Sequence, residues 1–363
     1  MKKVAFIKFA GLASGGTEKY LQTLASLLPK DRYQVDYFYT NAAPFKNSGF
    51  VHPDNDPARK QLIEDQGINT IEVHVDHKIG NVEPYEWMGT DFWDLFKESN
   101  YDFIQTARGG YPEYPFNIIN ECTIVDSIHS FNGEDKPNIK KAILLCKWQA
   151  EKWANNGGNI SKAEIIPSIV KVPGKKPSNL RKLLNIDEDI FIYGFHQANR
   201  GDIFSSISLE SYRYIQNDKN CFVILGGCQE HIDTVNKLGL KNVYFLEFTS
   251  SVEDIHDFLE GIDVYTHARS DGEVCSAAII EAMYHGKPVI SHPALNMGHV
   301  EQIEDCGKMA YSLEEYVSEM VNLKDNKNYY QEKSEKTLNK YWKNYDYQTI
   351  EKNIISLYDN LNY

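Results

Sequence analysis

Short apolar runs with strand character recur along this 363-residue chain, each followed by an amphipathic helical stretch, and they do so in two successive series. That alternation is the pattern of doubly wound parallel α/β sheets, because parallel strands need a crossover and the crossover helix covers the sheet. The first series starts at Val4 to Phe9 and continues through Tyr33 to Tyr39, Thr70 to Val75, Phe103 to Thr106, Thr123 to His129 and Ala142 to Leu145. Thr17 to Leu28 reads as its first helix, with Tyr20, Leu21, Leu24, Leu27 and Leu28 on one face. The second series runs Ile190 to Tyr193, Cys221 to Leu225, Val243 to Leu246, Val264 to His267 and Val289 to Ser291. Between them, Lys171 to Arg181 has the Pro, Gly and Lys content of a linker. We therefore expect a first domain over 1–170, a linker over 171–182 and a second domain over 183–344, followed by a helical tail.

The chain carries 38 Lys and Arg against 51 Asp and Glu, a formal net charge of −13. Nucleic acid demands basic surface for its phosphates, so the charge argues against that class of partner, and broad docking on anionic lipid is disfavoured. The basic stretch with Lys171, Lys175 and Lys176 still allows peripheral membrane contact. A hydrophobic fraction of 42% is enough to bury a core in each domain. No apolar run approaches the ~20 residues that span a bilayer, and Met1-Lys2-Lys3 leads directly into a strand, so a cytoplasmic protein is expected. Cys122, Cys146, Cys221, Cys228, Cys275 and Cys306 show neither CxxC pairing nor metal-finger spacing and read as reduced core residues.

One segment concentrates the chemistry. From Tyr265 a buried strand runs into a break at Ser270-Asp271-Gly272-Glu273, and Val274 to His285 reads as a helix carrying Glu281. The small residues Cys275, Ser276, Ala277 and Ala278 leave the first-turn N–H groups uncovered at the positive end of the helix dipole, which favours an anion. Glu281 then lies two turns in, about 10 Å along the axis from the helix start. A diphosphate flanked by two hydroxyl-bearing sugars suits this arrangement, since each sugar can donate hydrogen bonds to an ionised carboxylate.

The run Ser270-x-x-Glu273 through Glu281-Ala282-Met283-x-x-Gly286-Lys287-Pro288-Val289-Ile290 resembles the nucleotide-sugar signature of the retaining glycosyltransferases of family 4, glycosyl transferases group 1. That resemblance implies the GT-B fold: two Rossmann-like domains facing across a cleft, with the C-terminal helix, Tyr345 to Leu361, crossing back onto the first. It implies transfer of a sugar, as a hexosyltransferase does, from a UDP- or GDP-sugar to a hydroxyl of a glycan, lipid or other acceptor. Neither cofactor nor metal is implied by the resemblance. By the same resemblance Glu273 holds the donor sugar's hydroxyls and Glu281 the ribose hydroxyls. Val274, Cys275, Ser276 and Ala277 line the diphosphate, and backbone from Leu246 through Phe248 to Thr249 edges the base. His129, at the end of a first-domain strand, meets the transferred sugar, or is simply structural. Gly15 and Gly16 match the glycine loop that lets backbone approach the donor phosphate; a plain strand-to-helix turn capped by Ser14 or Thr17 reads equally from the residues.

Departures from the signature bear on the leaving group. Where the family has Gly-Arg and then Lys-Gly, this chain has Gly194-Phe195-His196 and Arg200-Gly201. Arg200 keeps the second cation with a fork that suits phosphate oxygens, whereas Phe195 replaces the first. His196, Arg269 or a residue of the N-terminal domain can restore the lost charge, and Arg269 can equally pair with Asp271 or another carboxylate. Gly-Phe-Gly becomes Val274-Cys275-Ser276, and Ile166-Pro167-Ser168 stands for Pro-Asn-Gly. Two alternatives to transfer follow: a sugar-nucleotide-binding protein without catalysis, and a GT-B epimerase acting on the donor itself.

Overall fold

The computed structural model describes residues 1–9, 11–12, 16–40, 55–74, 90–112, 114–197 and 200–361. The chain divides into two compact units, Met1–Ile169 with Ile350–Tyr363, and Val170–Thr349.

In the first unit, β1 (Lys2–Lys8), β2 (Tyr33–Thr40), β3 (Asn69–Val73), β4 (Phe103–Arg108), β5 (Ile124–Ile128), β6 (Ile139–Leu144) and β7 (Ala163–Ile165) form one sheet. Its order is β3-β2-β1-β4-β5-β6-β7, and every pairing is parallel. Helices α1 (Gly16–Leu27), α2 (Pro57–Asp65), α3 (Phe92–Leu95) and α4 (Lys147–Asn155) lie between the strands in sequence. All six residues of β4 are buried, as a central parallel strand covered on both faces requires. Phe38 meets Phe92 and Phe96 edge-on at 5.7 and 5.6 Å, while Phe92 and Phe96 stack at 4.8 Å. Aromatic pairs in these geometries add to the area they bury.

The second unit holds α5 (Leu180–Leu184), β8 (Phe191–His196), α6 (Ile207–Ile215), β9 (Asn220–Leu225), α7 (Gln229–Leu238), β10 (Val243–Leu246), α8 (Val252–Gly261) and β11 (Val264–Thr266). It continues with β12 (Gly272–Glu273), α9 (Ala277–Tyr284), β13 (Val289–Ser291), β14 (Asn296–Met297), α10 (Gly298–Ile303), β15 (Lys308–Met309), α11 (Leu313–Asp325) and α12 (Lys327–Asn344). The parallel sheet has the order β10-β9-β8-β11-β13-β15, and β12 with β14 makes a separate two-stranded ladder.

The last helix, α13 (Tyr347–Asp359), buries Ile350, Ile354, Leu357 and Tyr358, a stripe at helical spacing. It is seated on the first unit. The Tyr358 hydroxyl donates to Gln105 Oε1 on β4 at 2.6 Å, Lys2 Nζ donates to the Tyr358 carbonyl at 2.8 Å, and Arg32 grips Asp359 with two bonds of 2.6 and 2.8 Å.

Two readings of the sequence need correction. The short strands β7, β12, β14 and β15 were not expected, because two or three residues carry no readable alternation. More important for the site, the helix expected from Val274 starts at Ala277. Gly272, at φ +65°, lies where a Cβ would stand 2.1 Å from the Asn296 carbonyl, and Gly272 and Glu273 are paired with β14 instead of joining the helix. The helix therefore begins three residues later, and Glu281 is about 6 Å along the axis from its start. All six cysteines are buried and unbridged. Among the described residues no helix is long and apolar enough to cross a membrane.

Candidate active site

β8 and β11 are neighbours from which the chain winds outward in opposite directions, the place where open α/β sheets bind ligands. Alternation along β8 sends Phe195 inward, 1% exposed, edge-on to Phe222 at 5.8 Å. The ring is a core residue, so Phe195 does not stand in the site as a substitute for a cation. Gly194 answers to packing: a Cβ there would lie 2.8 Å from the Val223 carbonyl and 3.0 Å from Ile262. His196 ends the strand, its carbonyl accepting from the Tyr265 hydroxyl at 3.0 Å. Its Nε2 lies 3.1 Å from Glu281 Oε2, and its Nδ1 is buried without a hydrogen-bond partner among the described residues.

Glu273 is held from several sides. Ser276 Oγ donates to its Oε1 at 3.0 Å, Arg269 Nη1 lies at 3.4 Å, and Nε2 of buried His267 lies at 3.8 Å. Burial opposes ionisation of Glu273, but His267, Arg269 and Ser276 together outweigh it and hold the carboxyl below its ordinary value. His267 is itself pushed down to about 4 by burial, against the pull of Glu273, so a neutral ring faces an ionised carboxylate. Its Nδ1 is 2.7 Å from Ser291 Oγ. The backbone is pinned as well: the Glu273 N–H donates to His299 Nδ1 at 3.4 Å, and the Gln302 amide bonds Ser276 N–H and carbonyl at 2.6 and 3.0 Å.

Ser276 is the N-cap of α9, its hydroxyl accepting from Ile279 N–H at 3.3 Å. That leaves the N–H groups of Ala277, which is exposed, and half-buried Ala278 as the donors facing outward at the helix start. Val274 is half-buried and Cys275 buried, both ahead of the helix.

Both candidate cations are engaged by carboxylates. Arg200 is 62% exposed at its side chain and grips Asp202 with contacts of 3.0 and 2.5 Å. Arg269 is less exposed and grips Asp271 at 3.0 and 2.8 Å in addition to its contact with Glu273. A bridge between Phe204 and Arg269, with Ser270 N–H donating to the Ile203 carbonyl at 3.0 Å, sets the two arginine-bearing loops side by side.

Beyond β10, the Leu246 carbonyl accepts from Gly226 N–H at 3.1 Å, and Thr249 Oγ1 donates to Asp254 at 3.1 Å. Phe248 between them is 57% exposed, a free aromatic face. In the first unit, His129 follows β5 beside the β1–β4 switch point. Its ring meets Tyr20 edge-on at 4.7 Å, and its Nε2 is buried without a hydrogen-bond partner among the described residues. Burial, helped by the charge of Lys8, drives its pKa down to about 3, so the ring is a neutral hydrogen-bonding group. Gly16 opens α1 with free space around its Cα, while Gly15 lies outside the described residues.

Residues 206–326 match the family model of glycosyl transferases group 1. The match is to that stretch, and the fold of the chain is GT-B. The fold is shared with HepE from Anabaena, solved in complex with UDP-glucose, at 17% identity and a TM-score of 0.74, covering 99% of this chain and 100% of that one. A glycosyltransferase from Rickettsia africae superposes with a TM-score of 0.75 at 13% identity, covering 99% and 98% of the two chains. Sucrose-phosphate synthase from Thermosynechococcus elongatus does so at 0.70 and 15%, again covering 99% and 98%. No curated protein matches the sequence.

Reading the sequence alone missed His267, Ser291, His299, Gln302 and Asp202, which hold the predicted residues in place. Their only signal was the density of histidine near the carboxylates: His267, His285, His292 and His299 fall within one stretch of the second unit.

Proposed function

We propose that this protein is a retaining glycosyltransferase of family 4, moving a hexosyl group from a nucleoside diphosphate sugar to an acceptor hydroxyl in the cytoplasm without a metal. One observation carries the reading: Glu273 and Glu281 flank the outward-facing start of α9, one held by Arg269 and Ser276, the other by His196. A diphosphate on the α9 N–H groups puts the donor sugar against Glu273 and the ribose against Glu281. The UDP-glucose bound by HepE favours a UDP-sugar among the candidate donors.

In the transfer, the bond between the sugar's anomeric carbon and the diphosphate oxygen breaks as the acceptor oxygen bonds to that carbon from the same face. The acceptor's proton passes to the departing phosphate oxygen, and positive charge develops on the sugar ring. Arg200, the α9 N–H groups and Arg269 balance the charge growing on the diphosphate, the role in which preorganised donors are strongest. His129, neutral, offers a hydrogen bond to the transferred sugar.

A thermal-shift screen over UDP-, GDP-, ADP- and dTDP-sugars tests the donor site, since a ligand of the native state raises the melting point. Glu281→Gln is expected to weaken free nucleoside diphosphate and donor alike by about 1.5–3 kcal/mol, the worth of hydrogen bonds to a charged group. Stabilisation by none of the donors, or undiminished binding in Glu281→Gln, would overturn the reading. Release of nucleotide that depends on an acceptor separates transfer from donor isomerisation and from binding alone.

A further inference from the structure

Helix α8 carries His256 and Glu260 four positions apart, and α9 carries Glu281, with its C-cap residue His285 four positions further on. Residues at that spacing share a face, so two such ladders on packed helices interlock rung by rung. The first rungs are observed. Glu260 Oε2 lies 2.5 Å from His285 Nδ1, and His285 Nε2 lies 2.7 Å from His256 Nδ1. One turn before His285 on α9 stands Glu281, whose Oε2 is 3.1 Å from His196 and whose charge is felt by His256.

The chain of bonds fixes the protons. An ionised Glu260 accepts from Nδ1–H of His285, which leaves Nε2 of that ring as an acceptor; His256 must then donate from Nδ1. Its own Nε2 is left as a lone pair. That atom is buried, in a residue only 5% exposed, and has no hydrogen-bond partner among the described residues. Burial holds His256 below its ordinary pKa although the charge of Glu281 pulls the other way, so the ring stays neutral. A bare acceptor beside a carboxylate is costly unless something donates to it. A ribose presents two adjacent hydroxyls, each able to donate.

We propose that Glu260, His285 and His256 form a hydrogen-bond relay that fixes His256 as an acceptor beside Glu281, so that the two residues take the two ribose hydroxyls and select a ribonucleotide over a deoxyribonucleotide. The proposal rests on the reading of Glu281 as the ribose carboxylate. It adds to that reading a specificity residue, His256, and two positioning residues, His285 and Glu260, neither of which touches the nucleotide.

Calorimetric titration with UDP and GDP, each beside its 2′,3′-dideoxy form, tests it. The parent protein is expected to favour the ribonucleotide. His256→Phe is expected to reduce that preference by roughly three- to tenfold, as loss of one hydrogen bond does, while affinity for the dideoxy form stays unchanged. A purely structural role would weaken both forms equally. His285→Gln, which breaks the relay away from the ligand, is expected to shift the preference in the same direction, and it serves as the second variant should His256→Phe fail to fold. If the parent binds neither nucleotide, or shows no preference for the ribose, the assignment of Glu281 falls and the relay's role falls with it. If the parent shows the preference and Glu281→Gln abolishes it, but neither histidine variant alters it, the ribose assignment stands and the relay is refuted.

Discussion

Arg200 and Arg269 each face a carboxylate, and the difference between the two pairings sets what their removal does. The Arg200–Asp202 pair is exposed on both sides, where an ion pair contributes little, so a diphosphate can draw Arg200 away from Asp202 at small cost. Arg269 is more enclosed and divides its donors between Asp271 and Glu273. Arg200→Ala is therefore expected to lower the turnover rate by roughly a hundredfold or more, and donor affinity by much less, because charge on the leaving oxygen grows toward the transition state. Steady-state kinetics with the best donor measures both quantities. A greater fall in turnover for Arg269→Ala would move the leaving-group role to that residue, and full activity in both variants would remove the diphosphate from this place altogether. Position 195 shows how far one residue's direction matters. In the sequence Phe195 occupies the place of a family cation, but strand alternation points the ring into the core, beneath α7.

At the scale of elements, the start of α9 is where sequence and structure part. In the sequence the small residues from Cys275 to Ala278 read as a helix start that favours an anion; in the structure the helix starts at Ala277, and the N–H groups left uncapped are those of Ala277 and Ala278. Which ones they are follows from Ser276, whose side-chain oxygen caps Ile279 while its proton goes to Glu273. Ser276→Ala removes both bonds. The expected cost is about 1 kcal/mol from the lost cap, read as a lower urea midpoint with an unchanged slope. Release of Glu273 is a separate effect, visible as a raised KM for the donor sugar with little change in affinity for free nucleoside diphosphate. An equal change for both ligands would mean that the serine supports the diphosphate and not the sugar.

For the whole molecule, the buried histidines make stability depend on pH. His231 and His267 are fully buried, and burial drives each down to about 4, whereas in the unfolded chain a histidine titrates near 6.5. Between those values the unfolded state binds protons that the folded state refuses, so stability falls as pH drops from about 6.5 toward about 4. Each ring is expected to cost on the order of 1 kcal/mol between pH 7 and 5.5, measured by urea unfolding at each pH. Glu273, held below its ordinary value, stays ionised over that window and adds nothing to the slope. His231→Gln should flatten the dependence; an unchanged slope would mean that this ring is protonated in the fold. The α/β architecture was legible because a parallel strand buried on both faces leaves a continuous apolar run, as Cys221 to Leu225 does, and because its crossover helix leaves a 3.6-residue stripe. The two carboxylates were legible too, since Glu273 and Glu281 sit within one local segment whose spacing is set by the chain itself. Other features depend on residues far apart in sequence. Gly272 is paired with Asn296, Gln302 grips Ser276, and Glu260 reaches His285 only because α8 packs beside α9. Local sequence determines periodicity, and with it the elements and the facing of each residue on its own element. Which faces meet is decided by tertiary packing, and the hydrogen bonds that orient Glu273 and Glu281 exist only once those faces have met.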